Sequence, residues 1–252
     1  MFKKYKFLFK QLVKRDFKKK YKGTILGMVW SVLYPLIDFI ILLTVFSKLL
    51  GKNTPHYPVY IFCGTIVMAF FRDSTRESMR ALLANSNIIT KIKLPHDIFI
   101  TSKIMASLFN FMLTLLVFFV ICIIDGVSID ISFMFLLFPI ICLTIFNIGL
   151  GYLLSTSYVF FRDTAYIYDL FLVIINYISA TFYSVESFSI TAQKLFLLNP
   201  LYCFISYFRE VVIYNVAPTI GLHLLCLLYS LLALFIGTSV YKKNKRKFIY
   251  YL

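Results

Sequence analysis

Three histidines, eleven carboxylates and five cysteines are the side chains of this 252-residue chain that could carry acid–base, nucleophilic or metal chemistry. Their placement does not assemble a site. His56, His96 and His223 lie in separate segments, and Asp125 and Asp130 bound a short loop, where turn and cap roles suffice. Cys63, Cys122, Cys142, Cys203 and Cys226 are odd in number, have no metal-ligand spacing and fall mostly in apolar runs. They read as small buried side chains. No G-x-x-x-x-G-K-[ST] run occurs, so no nucleotide-phosphate loop is recognisable. Asp38 and Asp169 stand out because each sits within or beside a long apolar run. Such a group either lines a polar path or pairs with a hydroxyl or cation on a neighbouring helix.

The elements that must position these groups follow from composition. The chain is 60% hydrophobic and 15% charged, more apolar than a soluble domain of this length can bury, so it reads as a polytopic all-α membrane protein. A spanning helix needs about 20 apolar residues. The runs are 25–50, 59–71 (continuing past Arg72, whose guanidinium would reach the headgroups), 104–124, 131–161 (interrupted by Pro139 and Asn147), 165–183 and 220–241. That makes six spans. The basic start is longer than the n-region of a signal peptide, so the first run reads as a retained span. In the stretch 184–215, Asn199-Pro200 breaks an apolar run of fourteen residues and Arg209-Glu210 closes it. A pair of re-entrant half-helices suits that pattern better than a span.

The net charge of +15 would fit nucleic acid, but 22 of the 26 Lys and Arg fall in the amino-terminal segment, the 72–103 region, Arg162 and the tail after Tyr241. Those segments flank one side of a bilayer. The positive-inside rule puts both termini in the cytoplasm and the re-entrant region outside. In the first 20 residues Phe2, Tyr5, Leu8, Phe9, Leu12 and Val13 share one helical face, opposite Lys3, Lys6, Lys10, Lys14 and Lys18. This is the pattern of an amphipathic helix on the inner leaflet, held by apolar burial and anionic lipid, with Asp16 alone interrupting the apolar face. The chain then turns at Lys22-Gly23 and enters the membrane. With the span starting at Thr24, Trp30 would lie about two turns deep, and Pro35 would bend the helix.

Four stretches in order, "RDFKKKYKGTILGMVWSVLYPL" (15–36), "NSNIITKIKLPHDIFITSKI" (85–104), "FRDTAYIYDLFLVIINYISATFYS" (161–184) and "LNPLYCFISYFREVV" (198–212), give the chain a resemblance to a known family. It resembles the permeases of ABC type-2 transporters that export polysaccharides such as O-antigen, teichoic acid or rhamnan across the bacterial cytoplasmic membrane. His96-Asp97 stands where that family often has Arg-Glu. The resemblance implies one transmembrane domain over 1–252: interfacial helix 1–23, spans one to five in 24–183, an external re-entrant region 184–218, span six at 219–241 and a cytoplasmic tail 242–252. It implies a second copy of the chain, two copies of an ABC ATP-binding subunit that carries the ATP and Mg, a lipid-linked glycan as substrate, and no cofactor, metal or catalytic residue on this chain.

On that resemblance, a coupling helix of Asn87, Ile88, Ile89, Lys91, Ile92, Lys93, Leu94 and Pro95 docks the ATPase. Asn85 or Ser86 would cap it and Pro95 would end it. Arg162 and Asp163 form a second cytoplasmic contact. Sugar rings stack on aromatic faces, which makes Tyr34, Phe39, Tyr152, Tyr158, Tyr177, Phe182 and Tyr183, with Asp38, candidates for a glycan path; packing on neighbouring helices is the competing role for each ring. The alternatives are a drug or peptide exporter of the same family, and an ion-coupled transporter. The absence of an internal repeat and the sparse intramembrane charge argue against the ion-coupled class.

Overall fold

A computed structural model describes residues 2–21, 23, 26–50, 55–92, 94–186 and 188–251, without the side chains of 2–4, 20–21, 28, 48–50 and 249. The described residues form helices and turns with no strand. In chain order the α-helices are α1 (Phe2–Tyr21), α2 (Trp30–Leu50), α3 (Tyr57–Met79), α4 (Ser86–Ile89), α5 (Asp97–Ile124), α6 (Leu137–Phe160), α7 (Thr164–Ile178), α8 (Ile190–Phe196), α9 (Pro200–Ile213) and α10 (Ile220–Asn244). Four are long and apolar enough to cross a membrane: α2, α5, α6 with its 3₁₀ entry from Ile131, and α10. The pair α8–α9, bent by 105°, makes five if counted as one span.

Two helices fall short for different reasons. α3 has 23 residues, roughly 35 Å, but its last two turns carry Arg72, Asp73, Arg76 and Glu77. The expected continuation past Arg72 is therefore present, as a charged helical end. α7 has only 15 residues, roughly 22 Å against a hydrocarbon core of about 30 Å.

Helix boundaries follow local chemistry. Gly23 takes a left-handed φ of 85°, the corner anticipated after the amphipathic helix. Gly27 also has a positive φ, of 51°, and opens a 3₁₀ turn, Gly27–Val29, ahead of α2. α2 begins at Trp30, and this ring sits at the helix start rather than two turns into it. Asn199 caps α9 by accepting from Leu201 N at 3.0 Å, and Pro200 occupies the first helical position, which needs no amide donor. The break expected at Asn199-Pro200 is the bend between α8 and α9.

α3 is the axis of the bundle. Val59–Met68 are buried along it, against α5, α6 and α9. One large apolar core surrounds this helix. A second, at the end that carries α1, gathers Leu12, Leu82, Ile89, Phe99, Tyr241 and Phe248. We call this the basic end. α6 and α10 pack most closely of all, because a Cβ on Gly237 would fall inside the carbonyl oxygen of Gly149.

At the opposite end a clamp closes on the 179–183 turn, in which Ala180 has φ 51°. Arg209 of α9 lies 3.5 Å from the Tyr60 ring centroid and donates to Thr181 O at 2.7 Å. The Tyr57 and Tyr60 hydroxyls donate to Phe182 O and Tyr183 O at 3.0 and 2.8 Å. Gly64 leaves room for the Thr181 carbonyl.

Two substitutions test this packing. Gly237→Ala should cost about 1–3 kcal/mol and lower the melting temperature of the detergent-purified protein by several degrees, whereas Gly221→Ala, which meets nothing within 4 Å, should be neutral. Arg209→Lys keeps the charge but loses the planar stack and the fork of donors. It should destabilise by about 2 kcal/mol or more in the same melting measurement.

Candidate functional site

The basic end contains a buried charge cluster. Asp16, the acid on the apolar face of α1, has only 2% of its side chain exposed. It accepts from Arg15 at 2.9 Å and from the Ser102 hydroxyl at 3.4 Å, with the Lys103 ammonium 3.7 Å away. Lys103 also pairs with Glu77 of α3 at 3.0 Å. Arg15 reaches further, donating to Asn85 Oδ1 at 2.9 Å. A burial this complete is tolerable because the carboxylate has both a cation and hydrogen bonds. α1 is thereby locked to α5, to the end of α3 and to the turn that leads into α4. The pattern carried a signal for this: an acid on an apolar stripe needs a cation, and Lys103 is the only one in α5.

That use of Asn85 changes the coupling segment. Asn85 makes no side-chain cap; its amide donates to Ala81 O at 2.7 Å and its oxygen serves Arg15. The helix starts at Ser86, one residue earlier than expected, and spans only four residues. It stops well before Pro95, because Lys91 N and Ile92 N both donate to Ile88 O and tighten the last turn. Asn87, Lys91 and Ile92 are exposed. Ile89 is buried in the second core, with Ile88 and Leu94 packed against it. Pro95 is half-buried, and Lys93 lies outside the described residues. An exposed isoleucine beside a lysine is what this segment offers a partner.

Arg162 and Asp163 occupy the exposed turn between α6 and α7. Arg162 stands 5.7 Å over the Tyr158 ring and donates to Tyr251 O at 3.4 Å. The tail therefore folds back onto this turn, with Phe248 fully buried among Phe160, Tyr241 and His96. Burial lowers the His96 pKa, with Asp97 opposing and Lys245 adding to the shift. Counted as charge alone, this tail looks like a plain basic flank. Its Phe-Ile-Tyr-Tyr run after the lysines was the sign of a docked segment.

Beside the charge cluster, a polar cleft runs into the bundle between α2, α3 and α5. Its inner part, a cavity of about 560 Å³, is lined by Trp30, Tyr34, Arg72, Arg76, Asn110 and Thr114 among others. A smaller cavity of about 330 Å³, reaching Asp16, Glu77 and Lys103, shares Ser107 and Asn110 with it. Lys103, Ser107, Asn110 and Thr114 form one stripe of α5 at helical spacing, roughly 16 Å long. The stripe is legible in an otherwise apolar run of the sequence. Arg76 is paired with Asp169 of α7 at 2.8 Å, so Asp169 takes the ion-pair role. Arg72 is 3.9 Å from Asp73. Guanidinium groups, an amide, a hydroxyl and two aromatic faces are groups that hold sugars and phosphates.

The aromatic candidates do not share one path. Tyr34 is exposed and in the cleft, and Asp38 is half-buried one turn further along α2. Tyr177 is exposed on α7, and Tyr183, half-buried, donates its hydroxyl to Tyr177 O at 2.9 Å. Tyr158 lies under Arg162 at the basic end. Three rings are packing residues in this subunit: Phe39 against Phe62 at 4.6 Å, Phe182 against Phe46 at 4.7 Å, and Tyr152 against Tyr241 at 5.0 Å. Helix contacts claim those faces.

The ABC-2 type transporter family model matches residues 7–213. The O-antigen export system permease protein RfbA of Klebsiella pneumoniae is 26% identical over 241 residues, covering 94% of this chain and 92% of that protein. RfbA of Myxococcus xanthus is 24% identical over 248 residues, covering 97% and 95%. The polysialic acid transport protein KpsM of Escherichia coli is 22% identical over 236 residues, covering 92% and 91%.

The charge cluster makes a measurable claim. Asp16→Ala should leave Lys103 underpaired and destabilise the protein by about 3 kcal/mol, while Asp16→Ala with Lys103→Met should recover part of that loss. Melting temperatures of both variants, read against Lys103→Met alone, check this; strictly additive losses would contradict the pairing.

Proposed function

This chain belongs to the ABC-2 type transporter family, and we propose that it is the permease subunit of an ATP-driven exporter that moves a lipid-linked polysaccharide across the bacterial cytoplasmic membrane. The observation that carries the glycan class is the similarity over more than 90% of both chains to proteins named for O-antigen export and polysialic acid transport. The cleft supports it: Tyr34 and Trp30 offer stacking faces for sugar rings, and Arg72 and Arg76 offer charge for phosphate at its inner end.

In this reading α2, α3, α5, α6, α7 and α10 are six spans of a single transmembrane domain over 1–252. The charged last turns of α3 reach the headgroups, and the 179–183 turn completes the short α7. α8–α9 is a re-entrant pair entering from outside, and both termini are cytoplasmic, which makes the basic end the inner one. Two copies of the chain enclose the pore. α7 supports this with an unpartnered apolar face of Ile167, Leu170, Ile174 and Tyr177, all more than half exposed. Two copies of an ABC ATP-binding subunit supply ATP and Mg, and this chain holds no cofactor of its own. The segment 85–95 docks that subunit through Asn87, Lys91 and Ile92, with Arg162 and Asp163 as a second contact. Tyr34, Asp38, Tyr177 and Tyr183 face the glycan.

The test is purification of the tagged chain from its host in mild detergent. An ATP-binding subunit should accompany the wild type in near-equal amount, and Ile92→Asp with Lys91→Glu should reduce its recovery by about tenfold or more, the effect of losing an interface hot spot. Tyr34→Ala should keep the ATPase and reduce surface glycan. A well-folded wild type that carries no ATPase overturns the exporter reading; an intact complex whose loss leaves surface glycan unchanged moves the substrate to a drug or peptide.

A further inference from the structure

α5 has two faces of opposite character. One carries the polar stripe of the cleft. The other, with Met105, Phe109, Met112 and Leu116, lines a separate groove of about 1350 Å³. Met134 and Leu137 form its outer wall, and α1 closes it at the basic end with Lys6, Lys10 and Lys14. We propose that this groove is a binding site for one anionic glycerophospholipid, its acyl chains along α5 and its phosphate on Lys6, Lys10 and Lys14.

Charge and shape both point to that occupant. The three lysines recur every four residues, so they sit one above another on α1, and all are exposed. None is ion-paired to a carboxylate among the described residues. The one carboxylate lining the groove, Asp130, is beyond the far end of α5. The cavity is thus cationic at one end and apolar along its length, the complement of an amphiphile with an anionic head. A zwitterionic head would bring its ammonium against three cations, and an unattached phosphate would leave the apolar wall unfilled.

Along α5 the lining runs from Met105 to Phe119, roughly 21 Å, more than one leaflet's share of a core about 30 Å thick. An acyl chain finds wall for its whole length. Three of the lining residues are methionines, whose unbranched side chains adapt to a flexible chain. The body of α5 separates the groove from the polar cleft, so the lipid is a resident and not cargo. It would brace α1 against α5 on the side away from Asp16–Lys103, and the inference stands apart from the export reading.

The experiment is native mass spectrometry of the full-length protein, titrated with phosphatidylglycerol or with phosphatidylethanolamine of the same acyl chains. The wild type should hold one phosphatidylglycerol per chain in preference to phosphatidylethanolamine. Lys6→Gln, Lys10→Gln and Lys14→Gln together should weaken phosphatidylglycerol binding by about tenfold or more, while Lys242→Gln, Lys243→Gln and Lys245→Gln should not. Met112→Trp, which leaves the lysines in place and fills the groove, should weaken both lipids alike and keeps the test open if the triple variant fails to fold. Unchanged phosphatidylglycerol affinity in the α1 triple variant, or equal loss in the two triple variants, overturns the site. Displacement of phosphatidylglycerol by a polyprenyl phosphate at equal concentration overturns the assigned occupant.

Discussion

A single buried guanidinium holds the end of the bundle opposite α1. Arg209 has no carboxylate partner among the described residues; its charge is met by the face of Tyr60 and by carbonyl oxygens of Tyr60 and Thr181. A cation in that position is stable only while the ring and the carbonyls stay where they are. The clamp therefore fixes the 179–183 turn, and with it the exit of α7, the pitch of α9 and the upper half of α3. Asn199 completes it, donating to Ser179 Oγ at 2.9 Å while its oxygen caps α9. The residues at the break of the bent α8–α9 pair also anchor it.

The basic end solves the same problem with the opposite charge. There a buried carboxylate, Asp16, is surrounded by Arg15, Ser102 and Lys103. The cluster ties α1 to α3 through Glu77 and to the 85–92 segment through Asn85. The 85–92 segment is thus tied to α1 by this cluster and, through Ile89, to the second apolar core. Between the two ends runs α3, buried along most of its length, with Gly64 at one end accepting the clamped turn. The molecule has one rigid axis and two electrostatic fastenings.

α5 separates two environments. Its stripe of Lys103, Ser107, Asn110 and Thr114 faces a cleft open to the basic end, and its reverse face is wholly apolar. Polar side chains at membrane depth are tolerated where they line a water-accessible cavity, and this stripe runs roughly 16 Å along α5, about half the thickness of a hydrocarbon core. The polar stripe of α5 is thus confined to the side shared with α2 and α3, and the other side is left to apolar side chains. Pro35, near the start of α2, and the loosely packed outer face of that helix make it the least constrained wall of the cleft.

Local patterns made the elements readable. Lysine spacing marked α1, Gly23 marked its corner, apolar runs marked the long helices, and Asn199-Pro200 marked the bend, because each depends on residues within a few turns of one another. The cleft stripe is equally local, four polar residues at i, i+4, i+7 and i+11 of α5. The sequence by itself determined a helical membrane protein with clustered cations and a lysine-striped amphipathic helix at its start. Only the tertiary structure decided which polar residues work together. Arg209 meets Tyr60 across 149 positions, Asp16 meets Ser102 across 86, and Tyr168 donates to Thr75 across 93. It also decided which aromatics are exposed, since Phe39, Tyr152 and Phe182 look no different in sequence from Tyr34 and Tyr177. A ring's availability depends on which helix covers it, and no local pattern encodes that neighbour.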